Sequence, residues 1–86
     1  MASQELMNIV YILTSKKYPA RYYIGLTQDL ERRIKEHNKG DSLYTKRYAP
    51  WELETYIVFK HKSRAEEFEK YLKSGSGFAF LKRRFL

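Results

Sequence analysis

The residues from Asn8 to Thr14 are apolar on both sides of an extended chain: Ile9, Tyr11 and Leu13 share one face, and Val10 and Ile12 share the other. A strand of this kind belongs at the centre of a sheet, covered on both faces. Tyr11 is its one polar-tipped residue at mid-strand. Ser15 to Ala20, with Lys16, Lys17 and Pro19, reads as a hairpin loop. The aromatic and β-branched run Tyr22–Ile24 then returns antiparallel, which brings Tyr11 close to Tyr22 or Tyr23. Gly25 is expected to turn the chain out of the strand, and Thr27 to cap a helix running from about Gln28 to Lys39. Asp29 and Glu31 suit the positive end of that helix, and Gly40 suits its left-handed exit. Leu30, Ile34 and His37 lie along one stripe, and Arg33 and His37, one turn apart, are neighbours.

Asp41 to Pro50 lacks clear periodicity and reads as a loop bearing Tyr44, Thr45, Lys46, Arg47 and Tyr48. Trp51 to Lys60 is a third strand, with Leu53, Thr55, Ile57 and Phe59 on one face and Glu54, Tyr56 and Val58 on the other. Ser63-Arg64-Ala65-Glu66 has the form of a capping box and is expected to open a second helix. Ala65, Phe68 and Leu72 make its apolar stripe, and Glu69 projects about 70° from the centre of that stripe. An unpaired carboxylate there is costly to bury, and Lys73, one turn on, is the ready intrahelical partner. Ser74-Gly75-Ser76-Gly77 ends the helix. Phe78, Leu81 and Phe85 then recur at helical spacing in a basic segment, either a last helix packed on the sheet or a tail docked on DNA.

The order β-β-α-β-α-α predicts an α/β domain of the α+β type, with a small three-stranded antiparallel or mixed sheet flanked by helices. Residues 8–86 form this one domain, and residues 1–7 an N-terminal extension. Within it Met1–Leu6 bears no relation to the rest of the chain and reads as an appended or alternative-start segment, with Met7 as the natural beginning.

Charge changes the picture. The 17 lysines and arginines exceed the 10 acids by 7, and aromatic residues make up 16% of the chain, interleaved with the cations. Phosphates attract the first group and bases stack on the second, so nucleic acid is the expected partner. No strongly amphipathic basic helix marks a membrane surface, no apolar run reaches transmembrane length, and no signal-peptide pattern opens the chain. The absence of cysteine excludes disulfides and thiolate metal sites and fits a reducing compartment, so a cytoplasmic location is expected.

No Ser/His/Asp order, metal-type His/Cys spacing or phosphate-cradling glycine loop is evident. What remains is two tyrosines on paired strands, an arginine and a histidine on one helix, and a lone glutamate on another. In this arrangement the sequence resembles the GIY-YIG nuclease superfamily. Ile9-Val10-Tyr11 corresponds to the first motif, with isoleucine and valine in place of its glycine and isoleucine, and Tyr23-Ile24-Gly25 corresponds to the second. Thr27-x-Asp29-Leu30-Glu31-x-Arg33-x-x-x-His37-Asn38 resembles the helix that carries the catalytic arginine, and Ala65-x-x-x-Glu69-x-x-x-Lys73 the helix that holds the metal-binding glutamate. The ending through Ala79-Phe80-Leu81-Lys82 is similar to the small bacterial stand-alone members.

The resemblance implies metal-dependent hydrolysis of DNA phosphodiester bonds, in repair or recombination. It makes Tyr11, Tyr23, Arg33 and His37 catalytic: Tyr11 the general base, Tyr23 a positioner of water or phosphate, Arg33 the phosphate clamp, and His37 the partner of Tyr11 or a phosphate contact. Glu69 is then the one protein ligand to Mg²⁺ or Mn²⁺, sparse ligation that Mg²⁺ ordinarily accepts. Lys16, Lys17, Thr45, Lys46, Arg47, Lys73, Lys82 and Arg83 are the expected contacts to nucleic acid, branched or damaged DNA being the expected form. No separate DNA-binding domain is apparent, which points to weak activity or to a protein partner that supplies specificity. The competing readings are a non-catalytic nucleic-acid-binding module of the same fold, and an adaptor that binds proteins through its tyrosine and phenylalanine surface.

Overall fold

A computed structural model describes residues 7–86; the segment Met1–Leu6 lies outside the described residues. The elements are β1 (Asn8–Ser15), β2 (Tyr22–Thr27), α1 (Leu30–Lys39), α2 (Leu43–Arg47), β3 (Trp51–Phe59), α3 (Lys62–Leu72) and α4 (Gly75–Arg84). The strands form one antiparallel sheet in the order β2-β1-β3, with the doubly apolar strand in the middle as its pattern requires. Val10 and Ile12 face a layer built from α3 and α4, where Ala65, Leu72 and Leu81 are buried and Phe68 and Phe85 pack beside them. Ile9, Tyr11 and Leu13 face the opposite layer, with Leu30 and Ile34 of α1 and with Trp51 and Tyr48. The sheet is therefore sandwiched, and each helical stripe seen in the sequence covers one side of β1.

Local geometry departs from expectation at six places, each for a physical reason. The α1 N-cap is Asp29, whose side chain accepts from the Arg32 amide, while Thr27 closes β2 and exchanges hydrogen bonds with the Asp29 backbone. The expected loop over residues 41–50 contains α2, a single capped turn in which Ser42 and Thr45 satisfy each other's amides. Five residues are too few to display a 3.6-residue period, so the hydrophobic pattern carried no sign of it. The Ser63–Glu66 capping box does not form: α3 starts at Lys62 behind His61, with no side-chain cap. Ser74 caps α4 through the Gly77 amide, so the glycine-rich stretch opens a helix as well as ending one.

The fifth departure concerns β3. The pairing slips by one residue between Ile12 and Leu13, with Ile12 opposite Thr55 and Leu13 opposite Leu53, so Glu54 forms a bulge. A bulge exchanges the two faces of a strand. Leu53 therefore packs in the α1 layer and Phe59 in the α3–α4 layer, although strict alternation assigns them to the same side.

Gly25 is not a turn residue. It lies mid-strand in β2, directly opposite Tyr11, and the tyrosine ring covers it. A Cβ at Gly25 would overlap both Cζ and Oη of Tyr11. Glycine here is a condition for seating that ring. Gly40, by contrast, adopts the left-handed conformation expected at the end of α1, with φ of 79°.

Gly25→Ala is expected to lower stability by about 1–3 kcal/mol, the usual cost of overpacking a core. Urea denaturation checks this, and a midpoint equal to that of the parent would show that the Tyr11 ring has room to move.

Candidate active site

Four of the candidate residues come together on the α1 side of the sheet. Tyr11 is buried on the central strand, and its hydroxyl lies 2.7 Å from Nε2 of His37. Tyr23, two residues from Gly25 on the same face of β2, stacks on Tyr11 at a centroid separation of 6.2 Å and meets the His37 ring at 4.4 Å. His37 is only 1% exposed, held at the end of the α1 stripe. The next residue, Asn38, fixes that end: its Oδ1 accepts from the Trp51 amide and its Nδ2 donates to the Trp51 carbonyl. The Trp51 indole in turn donates to the Thr45 carbonyl at 2.9 Å, which ties α2 to the same corner.

Arg33 sits one turn before His37, half-buried, and donates from Nη1 to Glu36 at 2.7 Å and to Asp41 at 3.0 Å. Its hydrogen bond to Glu36 raises its affinity for the proton still further. Burial pushes the Tyr11 hydroxyl up to about 12, although the neighbouring Arg33 guanidinium pulls the other way. Burial, reinforced by the Arg33 charge, lowers His37 and keeps it neutral near pH 7. A neutral imidazole and a protonated phenol share this hydrogen bond in a direction set by the tautomer: with the proton on Nδ1, Tyr11 donates and His37 Nε2 accepts.

Asp41 was not singled out in the sequence. Its carboxylate accepts from Arg33 through Oδ2 and from the Thr45 hydroxyl through Oδ1 at 2.8 Å, and Oδ1 lies 3.3 Å from Nδ1 of His37. The Thr45 hydroxyl bond holds the carboxyl below its ordinary range. The available signal was weak: an acid just past a helix-ending glycine, followed by a Ser-x-x-Thr cap. Thr45 itself must be corrected. Expected on an open loop, it is fully buried in α2, with its hydroxyl committed to Asp41 and Ser42, so it is not free to meet a phosphate.

Glu69 lies on α3, on the other side of the sheet. Its carboxylate, 18% exposed, is paired with Lys73 Nζ at 2.5 Å. Lys73 lines a groove of about 300 Å³ with Tyr22, Tyr23, Ile24, Tyr44, Leu72 and Phe78. That groove brings Tyr23 to one side and the partner of Glu69 to the other, around the β2 edge. No hydrogen bond joins Glu69 to Tyr11, Tyr23, Arg33 or His37 among the described residues. Nor does any group of three His, Cys, Asp or Glu side chains among them stand ready to hold a metal. An ion at Glu69 would have one protein carboxylate and otherwise water or phosphate oxygens, a donor set that fits Mg²⁺ or Mn²⁺.

The expected nucleic-acid contacts other than Thr45 are exposed. Lys16 and Lys82 line a second, larger groove of about 640 Å³ that shares Tyr22 and Phe78 with the first, with Glu52 and Glu54 also on its wall. Lys17 is next to Lys16 in the hairpin turn, Lys46 and Arg47 lie on α2, and Arg83 follows Lys82 on α4. Among the described residues no helix is long and apolar enough to cross a membrane.

The family model for the GIY-YIG catalytic domain matches residues 7–82. This chain belongs to the GIY-YIG family. The UPF0213 protein CPE1444 of Clostridium perfringens is 41% identical over 68 residues, covering 78% of this chain and 71% of that one. The solution structure of the UPF0213 protein BH0048 of Bacillus halodurans superposes with a TM-score of 0.54 at 32% identity, covering 90% of this chain and 83% of that one. Similarity extends to the structure-specific endonuclease subunit slx1 of Schizosaccharomyces japonicus, 41% identical over 64 residues. That match covers 69% of this chain but only 23% of the longer subunit.

The burial of neutral His37 has a pH signature. The unfolded histidine takes up a proton near its ordinary value of about 6.5, before the folded one does. Stability from this group is complete above that value and is lost as pH falls through it toward the lower folded value. The urea midpoint is expected to drop between pH 7.5 and 5.5, and His37→Gln to flatten that slope. An identical slope in the variant would place the titrating group elsewhere.

Proposed function

We propose that this domain is a metal-dependent endonuclease that hydrolyses phosphodiester bonds in DNA, branched or damaged forms being the preferred class. The buried contact between the Tyr11 hydroxyl and His37 Nε2, beside the Arg33 guanidinium, carries the reading. A phenol held at a pKa of about 12 by burial is a poor base in isolation, and one hydrogen-bonded to a neutral imidazole has somewhere to send its proton. Tyr11 takes the proton of the attacking water as it passes its own to His37. Tyr23, stacked on Tyr11 and open to the groove, positions water or phosphate. Arg33 grips the phosphate through charge-assisted hydrogen bonds, exchanging a carboxylate partner for it. Glu69, released from Lys73, would hold Mg²⁺ or Mn²⁺, and the ion when bound would stabilise charge on the phosphate and the leaving oxygen. Lys73, Lys16, Lys82, Lys17, Lys46, Arg47 and Arg83 supply the salt-sensitive hold on the backbone. Slx1 subunits are named as structure-specific endonucleases, and the likeness supports assigning the same class of chemistry here, with a protein partner supplying specificity.

A second reading is a nucleic-acid-binding module of the same fold. What favours it is that both charged groups needed for turnover are already engaged, Arg33 by Glu36 and Asp41 and Glu69 by Lys73. Cleavage of branched, nicked and single-stranded DNA with Mg²⁺ or Mn²⁺ separates the two. Glu69→Ala and Arg33→Ala are each expected to reduce cleavage by about 100-fold or more while binding persists, on the scale of losing one electrostatic stabiliser. Salt-dependent binding with no cleavage by the parent protein would decide for the binding module.

A further inference from the structure

Resting on that reading of the site, we infer that Asp41 is a positioning residue: its carboxylate keeps the His37 proton on Nδ1, leaves Nε2 open to the Tyr11 proton, and steadies the imidazolium that results. Nδ1 is buried and makes no formed hydrogen bond. Asp41 Oδ1, 3.3 Å away, is the nearby acceptor. Asp41 is also held at four other points, two on its backbone and two on its carboxylate. The Asp41 amide donates to the Glu36 carbonyl, the left-handed Gly40 folds the chain back over the last turn of α1, and Arg33 and Thr45 each donate to one carboxylate oxygen. Thr45 is in turn fixed by its exchange with Ser42 inside α2. Asp41 therefore reaches Arg33 and His37 at once from a braced position, and a carboxylate, imidazole and phenol stand in line across the site.

The groups facing His37 are Tyr11 from β1, Tyr23 from β2, Arg33 and Glu36 from α1, and Asp41 from the turn after α1. Burial keeps the Tyr11 hydroxyl protonated at pH 7. Arg33 opposes an imidazolium, and Asp41 and Glu36 favour it. In the hydrolytic step a water O–H bond breaks as its oxygen bonds to phosphorus. That proton goes to the Tyr11 oxygen while the Tyr11 proton moves to His37 Nε2. The leaving oxygen departs with the electron pair of its bond to phosphorus and is protonated from solvent. His37 then returns the proton through Tyr11 to solvent. An Nδ1–H held toward a carboxylate is the tautomer this sequence requires, and losing such an orienting carboxylate is severe in comparable imidazole systems.

The test reads the histidine directly and the reaction separately. Long-range proton–nitrogen NMR of the parent protein, without substrate, is expected to show His37 as the Nδ1–H tautomer; the Nε2–H form overturns the proposal. Asp41→Asn is expected to lower the His37 titration midpoint, shift the acid limb of the kcat–pH profile to lower pH, and reduce plateau kcat about tenfold or more with KM little changed. Asp41→Glu should recover part of the loss. A variant that loses stability and activity with tautomer and acid limb unchanged would make Asp41 a purely structural brace and overturn the assignment. Should Asp41→Asn fail to fold, the parent tautomer still decides. Should the parent protein not cleave DNA, the nuclease reading fails, and the tautomer and the His37 midpoint still decide the role of Asp41.

Discussion

Burial of β1 on both faces is the constraint on which the rest of the structure depends. A strand with Val10 and Ile12 on one side and Ile9, Tyr11 and Leu13 on the other must be covered twice, which requires helices in two layers. One of the buried side chains carries a hydroxyl, and leaving it unpaired would cost about 1–3 kcal/mol. His37 answers that need at 2.7 Å, so α1 must lie where its last turn meets mid-strand. Gly25 must lack a side chain so that the ring can lie flat against β2. The residues that make the fold close are thus the same ones that place a phenol against an imidazole.

Electrostatics divides the molecule differently. The formal charge is +7, yet the guanidinium nearest Tyr11 is neutralised by two carboxylates, while the remaining cations sit around the periphery. Glu36 is 40% exposed and Asp41 31%, so neither ion pair is deep enough to be strong. A phosphate approaching Arg33 can displace the more exposed acid at small cost. Asp41 is the harder one to displace because Thr45 and the Glu36 carbonyl hold it from behind. On the proposed reading, the peripheral lysines would raise the local concentration of a polyanion, and the central arginine would be uncovered when a phosphate replaces its acid.

Periodicity made the sheet order, the central place of β1, the stripes of α1 and α3 and the left-handed Gly40 legible, because each is a regular pattern or a single-residue steric rule. Four residues of the candidate site, which the fold brings together, were legible through motif order. The features that escaped depend on tertiary contact. Gly25 looks like a turn residue until the partner ring opposite it is known. The bulge at Glu54 leaves the alternation of apolar residues undisturbed while reversing which layer they enter. Ser63 and Glu66 have the spacing of a capping box, but α3 begins at Lys62 and leaves both inside the helix. Thr45 reads as a surface hydroxyl because burial of a one-turn helix is decided by Trp51 and Asp41, which arrive from elsewhere in the chain.

The position of Glu69 is a consequence of topology. It belongs to the layer opposite Tyr11 and His37, and a sheet is a barrier between its two faces. Side chains from both faces can share a ligand only around an edge strand. β2 is such a strand, paired with β1 on one side alone. Tyr22 and Tyr23, adjacent on β2, point to opposite faces and line one groove at its rim together with Tyr44 of α2, Lys73 just past α3 and Phe78 of α4. Elements from both layers thus meet there without either core being opened. An extended phosphate backbone lying along the β2 edge could be reached from the tyrosine side and from the glutamate side at once. On the proposed reading, a chain-like polyanion could engage both sides of that edge, whereas a compact one would meet only one face.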